Sequence, residues 1–421
     1  MKPYAVILVF LICVSCASVQ KPFQTAFYKL PTVSTLQMKD MDAVKNHIGN
    51  RKVVMLGESI HMTSEFSTVR KHIIHNLHEQ SDFQLLLFEG SPIEFWIAQD
   101  KYLNSKRNQS AVDEFQKTAL FGLWQTLEIN AVLKDVLQTQ ATNRPMYVSS
   151  YDVQIGQGRN FAQGKSVLGE FVKILNTRKV KLKRSEEKEL LFLENLVSCK
   201  RKKFPVAAED FRKAEESIKR MDQVISRMKT ASTLESHELF LKSMPVFMKF
   251  SLDFCNEANS SKRNYTEVRD DWASKQFLSQ IHTIGKKSIV WAHSGHVRLG
   301  PSKSGRMSFG SFTRKSLGQD IFGIHFTART GTAIAFMDSI GNEIEPIEKS
   351  VLSVDSVSLE KMLSGLESQS DIFVPVFGNE QFFSSPETTR SEPDGFGPIN
   401  PLLDFDGYYL IQEIKPPKLD L

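Results

Sequence analysis

Apolar residues recur along this chain in two periods, and the alternation between the two outlines the fold. Short, nearly continuous apolar runs stand at 53–56 (VVML), 83–89 (FQLLLFE), 146–151, 287–292 (KSIVWA), 321–328 (IFGIHFTA), 333–336, 372–377 and 408–414. Runs of that length, rich in β-branched and aromatic residues, are expected of strands buried on both faces of a parallel sheet. Between them the spacing turns helical. Phe66, Val69, Ile73, Ile74 and Leu77 form a stripe behind Thr63 and Ser64, either of which can cap a helix. Ser91, Pro92 and Glu94 open another helix carrying Phe95 and Trp96. A third is expected over 112–140, with Leu123, Trp124, Leu127, Val132 and Leu137 among its apolar positions. A short helix over 40–50 leads into the first strand. Strands alternating with helices predict an α/β fold with a mostly parallel central sheet.

From about 167 to 284 the pattern changes: charge rises, strand signals stop and long amphipathic helices take over, as expected of a helical insertion or cap. The basic runs at 178–184 (RKVKLKR) and 200–203 (KRKK) read as solvated faces of that region. Residues 384–403, rich in Pro, Gly, Ser and acids, read as a long loop bordering a site. Residues 17–36, polar with scattered prolines, read as a tether, leaving 37–421 as one domain that includes the insertion.

The amino terminus changes the picture of where the chain works. Lys2 precedes the apolar run 5–12, which is too short to span a bilayer comfortably and reads as an export signal. Ser15 before Cys16 resembles a bacterial lipobox, with Cys16 as the lipidated first residue of the mature chain. Ala17 rather than Asp then favours the outer membrane. Of the four cysteines, Cys199 and Cys255 match no zinc or redox spacing; a disulfide and two separate thiols are both open. Lys+Arg of 53 against Asp+Glu of 48 leaves +5 over 421 residues, too little to point to nucleic acid.

Candidate chemistry sits where the strands stop. Glu58, His61 and Glu65 follow the first run, Glu89 ends the second, Asp152 follows the third, and His293 and His296 follow KSIVWA. In doubly wound sheets the carboxyl ends of strands line the ligand crevice. An imidazole oriented by carboxylates is a candidate base toward water, which puts His61 in that role with Glu58 or Glu89 beside it. No serine stands in a G-x-S-x-G turn, and no H-E-x-x-H string occurs. Gly156, Gly158 and Gly164 are not spaced as a dinucleotide fingerprint. His72, His75 and His78 repeat at helical spacing without acidic or thiol partners and read as an exposed polar face. Glu58, His61, Glu89, His293 and His296 are ligand types that could also hold a divalent ion, and a binding protein without turnover could keep the same pocket.

Gly57-Glu58-Ser59-Ile60-His61 with Glu65-Phe66 resembles the GE-x-x-H-x-x-x-EF signature of the erythromycin esterase-like hydrolases. Four further segments follow in that family's order: Glu89 after its strand, Tyr151-Asp152-Val153-Gln154 for G-x-D-x-Q, Arg269-Asp270 for RD, and Trp291-Ala292-His293-Ser294-Gly295-His296 for WAHNAH. The resemblance implies hydrolysis of a small ester or lactone by water, without metal or other cofactor. His61 would be the base, Glu58 and Glu89 would position or polarise, Arg70 would complete the cluster, and Asp152, His293 and His296 would bind substrate or the developing oxyanion. Met62, Tyr151 and Ser294-Gly295 depart from the family's Gly, Gly and Asn-Ala.

Overall fold

A computed structural model describes residues 25–180, 182–198, 207–227, 235–335, 347–351, 357–392 and 395–419. The export signal with Cys16, residues 17–24 of the expected tether, Cys199 and the 200–203 run lie outside these residues. Among the described residues there are eleven strands: β1 Tyr28–Leu30, β2 Val53–Glu58, β3 Phe83–Phe88, β4 Tyr147–Ser150, β5 Lys287–His293, β6 Ile321–Ala335, β7 Ile347–Ser350, β8 Asp371–Pro375, β9 Thr388–Glu392, β10 Gly395–Pro398 and β11 Gly407–Ile414. The main sheet runs in the order β1-β8-β11-β6-β2-β5-β3-β4, with β7 on the distal part of β6. From β11 to β4 every pairing is parallel, while β8 is antiparallel to β11 and β1 to β8.

The apolar runs work as anticipated because both faces are covered. Val53 and Met55 of β2, with Leu85 and Leu87 of β3, enter one core, and Val54, Leu56, Leu86 and Phe88 enter the other. The first of these cores also receives the long helices Val167–Thr177, Arg184–Val197, Ala208–Ser226, Glu235–Ser260 and Tyr265–Ile284, so the described part of the 167–284 insertion consists of helices joined by short turns. Cys255 is buried in this region and disulfide-bonded.

Several expectations need correction. From residue 25 onward the expected tether is structured: β1 pairs with β8, and Leu30 and Leu36 are buried. The runs 321–328 and 333–336 belong to one strand as far as Ala335, continuous through Gly331. The φ of Gly331 is 128°, and a Cβ added there would stand 2.1 Å from Ile414 O, so only glycine fits. The 384–403 stretch contains the β9–β10 hairpin and the helix Pro401–Asp404. The 112–140 helix is two helices, Gln109–Ala119 and Leu127–Thr139, parted by a turn that Gln116 and Gln125 hold through side-chain bonds to backbone carbonyls. His78 is buried with Nδ1 on Phe83 O at 2.8 Å, and His75 is half-buried beside Asp135, so the repeated histidines are not an exposed face. Arg178 is paired with Asp100 and Glu238 rather than solvated.

Candidate active site

Register alone brings the first residues together. Glu58 ends β2 directly opposite His293, the last residue of β5. Beyond the end of β3, Tyr151 N–H bonds Phe88 O at 3.2 Å and Asp152 N–H bonds Gly90 O at 2.8 Å, which draws Asp152 beside Glu89.

On the β2 side the sequence turns sharply. Met62 takes φ 57°, a left-handed conformation that costs a side-chain-bearing residue about 1–2 kcal/mol and that glycine adopts freely. The turn folds His61 back so that its Nδ1 donates to Glu58 Oε1 at 2.8 Å. The helix Ser64–Ser81 that follows starts at Thr63, which makes no side-chain cap bond. Its first turn is instead held by the chain beyond β11: Ser64 N–H bonds Lys415 O at 2.9 Å, and Lys415 N–H bonds Glu65 Oε2 at 2.6 Å. Two turns on, this helix delivers Arg70, fully buried, to Glu58 Oε2. The guanidinium also lies 3.8 Å from the Trp291 ring centroid. Burial lowers its pKa to about 10 against the opposing pull of Glu58, so Arg70 stays charged at neutral pH. The His61 ring rests edge-on to Trp124 at 5.2 Å and tilted over His293 at 4.6 Å. With Nδ1 committed to Glu58, His61 has Nε2 left over; among the described residues that nitrogen has no protein partner, and the side chain is 27% exposed.

On the β3 and β4 side, two residues absent from the candidate set prove central. Arg269, on the helix Tyr265–Ile284, bonds Glu89 Oε1 at 2.8 Å and both oxygens of Asp152. Asp270 accepts from His296 Nδ1 at 2.7 Å, and His296 Nε2 faces Glu89 Oε1 at 3.5 Å. The same helix is pinned to β4 by Gln276, bonded to the Asp152 carbonyl at 2.6 Å, and Gln280, bonded to the Ser150 carbonyl at 2.7 Å. The signal was present in the Arg269-Asp270 pair, but helical periodicity cannot say that this turn, and not another, reaches the strand ends.

The electrostatics follow from this pairing. Burial raises the Glu89 pKa, but His296, Arg269 and His61 overcome it and hold the carboxyl at about 2. Burial opposes the charged form of His296, yet Asp270 and Glu89 raise it to about 9, so it is an imidazolium at neutral pH. His293 goes the other way: burial, with His61 and His296 nearby, lowers it to about 3. Its tautomer is set, since Nδ1 accepts from Gly295 N–H at 3.1 Å and Nε2–H is left to donate to Ser59 O at 3.2 Å. Both ring nitrogens of His293 are thus taken by backbone, whereas His296 is a charged donor.

Two supports surround the cluster. Glu94 sits beneath it, accepting from the N–H groups of Gly156, Gln157 and Gly158; the glycine loop is a cradle for the protein's own carboxyl group. Burial raises that group to about 8 despite these bonds. Behind His293, Thr389 donates to Glu360 Oε1 at 2.8 Å, so it accepts from His325 Nε2–H at 3.0 Å. His325 Nδ1 is then left to accept from Ser294 Oγ at 2.7 Å. This chain ties the turn bearing both site histidines to the β9–β10 hairpin.

The sequence-derived candidates Glu58, His61, Arg70, Glu89, Asp152, His293 and His296 therefore meet at the carboxyl ends of β2, β3, β4 and β5. Trp124 is core and also flanks His61, while Glu128 bonds Lys418 N–H at 3.1 Å. Among the described residues no group of three or more His, Cys, Asp or Glu side chains is arranged to hold a metal ion.

Comparison with known proteins bears on the family and the fold. A family model described as erythromycin esterase matches residues 79–391, a span that holds Glu89, Asp152, Arg269, His293 and His296 and begins after Glu58 and His61. The protein "Putative hydrolase YbfO" of Bacillus subtilis (strain 168) is 24% identical over 286 residues, 63% of this chain and 60% of the length of that relative. Among solved structures, a Bacillus cereus protein superposes with a TM-score of 0.69 at 17% identity, covering 94% of this chain and 97% of that one. A histidine-to-asparagine mutant of the erythromycin esterase EreC in its open conformation superposes with a TM-score of 0.67 at 15% identity, covering 94% of this chain and 100% of that one. At these identities the superpositions speak to the fold.

Proposed function

Because this chain belongs to the erythromycin esterase family, whose model spans well over half of it, we propose that it hydrolyses a small ester or lactone with water activated by His61. Family and relatives support a hydrolase; the bond cleaved and the residue roles are inferred from the site. The observation that carries the reading is the His61–Glu58 pair: with the proton held on Nδ1 by a carboxylate 2.8 Å away, Nε2 keeps its lone pair on the exposed side.

A water on Nε2 gives up its proton as its oxygen attacks the acyl carbon. The imidazolium formed is stabilised by Glu58, which Arg70 and the Trp291 face hold in place. Arg269 and the His296 imidazolium supply fixed positive charge for the carbonyl oxygen as it becomes anionic. Collapse of the tetrahedral species breaks the ester C–O bond, and the alkoxide takes the proton back from His61 Nε2. One water is consumed, yielding acid and alcohol, or a single hydroxy acid from a lactone. His293, its nitrogens occupied by backbone, serves as a wall that orients the His61 ring.

Turnover of a panel of carboxylic esters and lactones in oxygen-18 water tests this reading. One label in the acid and none in the alcohol is the expected outcome. Label in the alcohol, or no turnover of any panel member by the folded protein, counts against it.

A further inference from the structure

The polypeptide joins the fold at one edge of the main sheet. Asn379 clamps Ala26 on both sides, its Oδ1 accepting from Ala26 N–H at 2.9 Å and its Nδ2 donating to Ala26 O at 2.8 Å. In the same loop Phe377 is 86% exposed, the most exposed large hydrophobic residue among those described. Val376 N–H bonds Asp406 O at 2.9 Å, which joins this loop to the segment after the helix Pro401–Asp404. On that helix Leu402 and Leu403 are 40% and 55% exposed.

The sheet register places these residues relative to the crevice. Pro375, Gly407, Ile324 and Leu56 lie in one row across β8, β11, β6 and β2. Phe377 lies two positions past Pro375 in the antiparallel direction, so it falls level with Val54, near the amino end of β2. Leu403 stands against Gly300, where an added Cβ would be 2.8 Å from its Cβ, next to Leu299, whose side chain covers Gly323 in the row of Met55. Tyr28 pairs with Phe373 on a strand antiparallel to β8, so the chain also arrives at β1 from that side. Glu58, His61, Glu89 and His293 stand at the other, carboxyl end.

We propose that this edge rests on a lipid bilayer, with Phe377, Leu402 and Leu403 entering the interface beside a lipid on Cys16, and that the crevice opens away from the membrane. The inference rests on lipidation of Cys16, not on the hydrolytic reading. Ten residue steps separate Cys16 from Ala26, a reach of at most about 35 Å when fully extended. The Asn379 clamp therefore stays that close to the headgroups, and the exposed apolar side chains around it are of the kind the headgroup–acyl boundary accepts. Among the described residues no helix is long and apolar enough to cross a membrane, so contact is with the surface. The crevice then takes its substrate from the aqueous side.

The test uses the full chain, produced with its own amino terminus in a diderm host and reconstituted in phosphatidylcholine vesicles. An environment-sensitive fluorophore is placed in turn at Phe377→Cys, at Leu403→Cys with Phe377 intact, and at Gln157→Cys on the loop after β4, while mass spectrometry reads the lipid on Cys16. Blue-shifted emission at 377 and 403 that lipid-borne quenchers largely abolish, with unquenched emission at 157, is the expected result. Emission at 377 and 403 that stays aqueous on a lipidated chain overturns the docking face. Blue-shifted emission that lipid quenchers leave intact overturns it too, since a second protein copy then covers the patch. Absence of lipid on Cys16 removes the anchor and the proposal with it, leaving the esterase reading untouched.

Discussion

His296 and Asp270 share a hydrogen bond of 2.7 Å, Nδ1 to Oδ1, and this contact decides which of the two site histidines is charged. Asp270 and Glu89 hold His296 protonated up to about pH 9, while His293, three residues earlier, is kept neutral down to about 3. Asp270→Asn keeps the shape and removes the charge. It is expected to lower the His296 pKa by roughly one to three pH units, read by NMR titration of the imidazole, and to draw the alkaline limb of activity down with it. An unmoved His296 titration would show that Asp270 does not set its charge.

The same pairs predict how stability varies with pH. His296 is raised above its ordinary 6.5, so its contribution is complete below pH 6.5 and is lost as pH rises through about 9. His293 and His325 are lowered to about 3 by burial, so the folded state is disfavoured as pH falls from 6.5 toward 3. Glu94, raised to about 8, adds to the loss as pH rises, so thermal unfolding midpoints should fall as pH rises from about 6.5 through 9. A midpoint still rising between pH 8 and 10 would contradict the His296 assignment.

Arg269 is the shared ion-pair partner of two carboxylates, Glu89 and Asp152, both buried. Arg269→Met leaves Asp152 without its cation and Glu89 with only the His296 imidazolium. Breaking a buried pair in this way costs roughly 3–5 kcal/mol, visible as a lowered urea midpoint at pH 7. Partial recovery of stability at low pH, where the carboxylates take up protons, should accompany it.

Gly158 tests the loop that cradles Glu94. A Cβ there would stand 2.1 Å from Thr118 O and 2.9 Å from Glu94 Oε2. Gly158→Ala is expected to destabilise by roughly 1–3 kcal/mol, the range for overpacking. An unchanged unfolding midpoint would mean that the loop does not close on Glu94.

Much of this was legible in the sequence, and physical reasons separate what was from what was not. Strands buried on both faces announce themselves as apolar runs, so β2, β3 and β5 and the ionisable residues at their ends could be found directly. Met62 could be singled out from its departure from glycine, and its φ of 57° supplies the reason glycine is usual there. The partners of those ends were harder. Arg269, Asp270 and Glu360 sit on helices whose spacing gives a face but not the turn that meets the site. β1 is a three-residue edge strand whose partner, β8, lies far along the sequence, and β9 and β10 form a short separate hairpin rich in Pro, Gly and Thr, without the apolar run that marks a buried strand. Arg178 shows the converse, since a basic run read as solvated holds a cation that tertiary packing draws onto Asp100.

The proposed hydrolysis turns on Nε2 of His61 as the base that takes the water proton. The most direct measurement is kcat/KM of His61→Gln against the unmodified chain on the best ester or lactone of the panel, with folding verified by an unchanged unfolding transition. Loss of a positioned general base predicts a fall of roughly 10²–10⁴-fold, carried by kcat. Undiminished kcat/KM in the folded variant would contradict it.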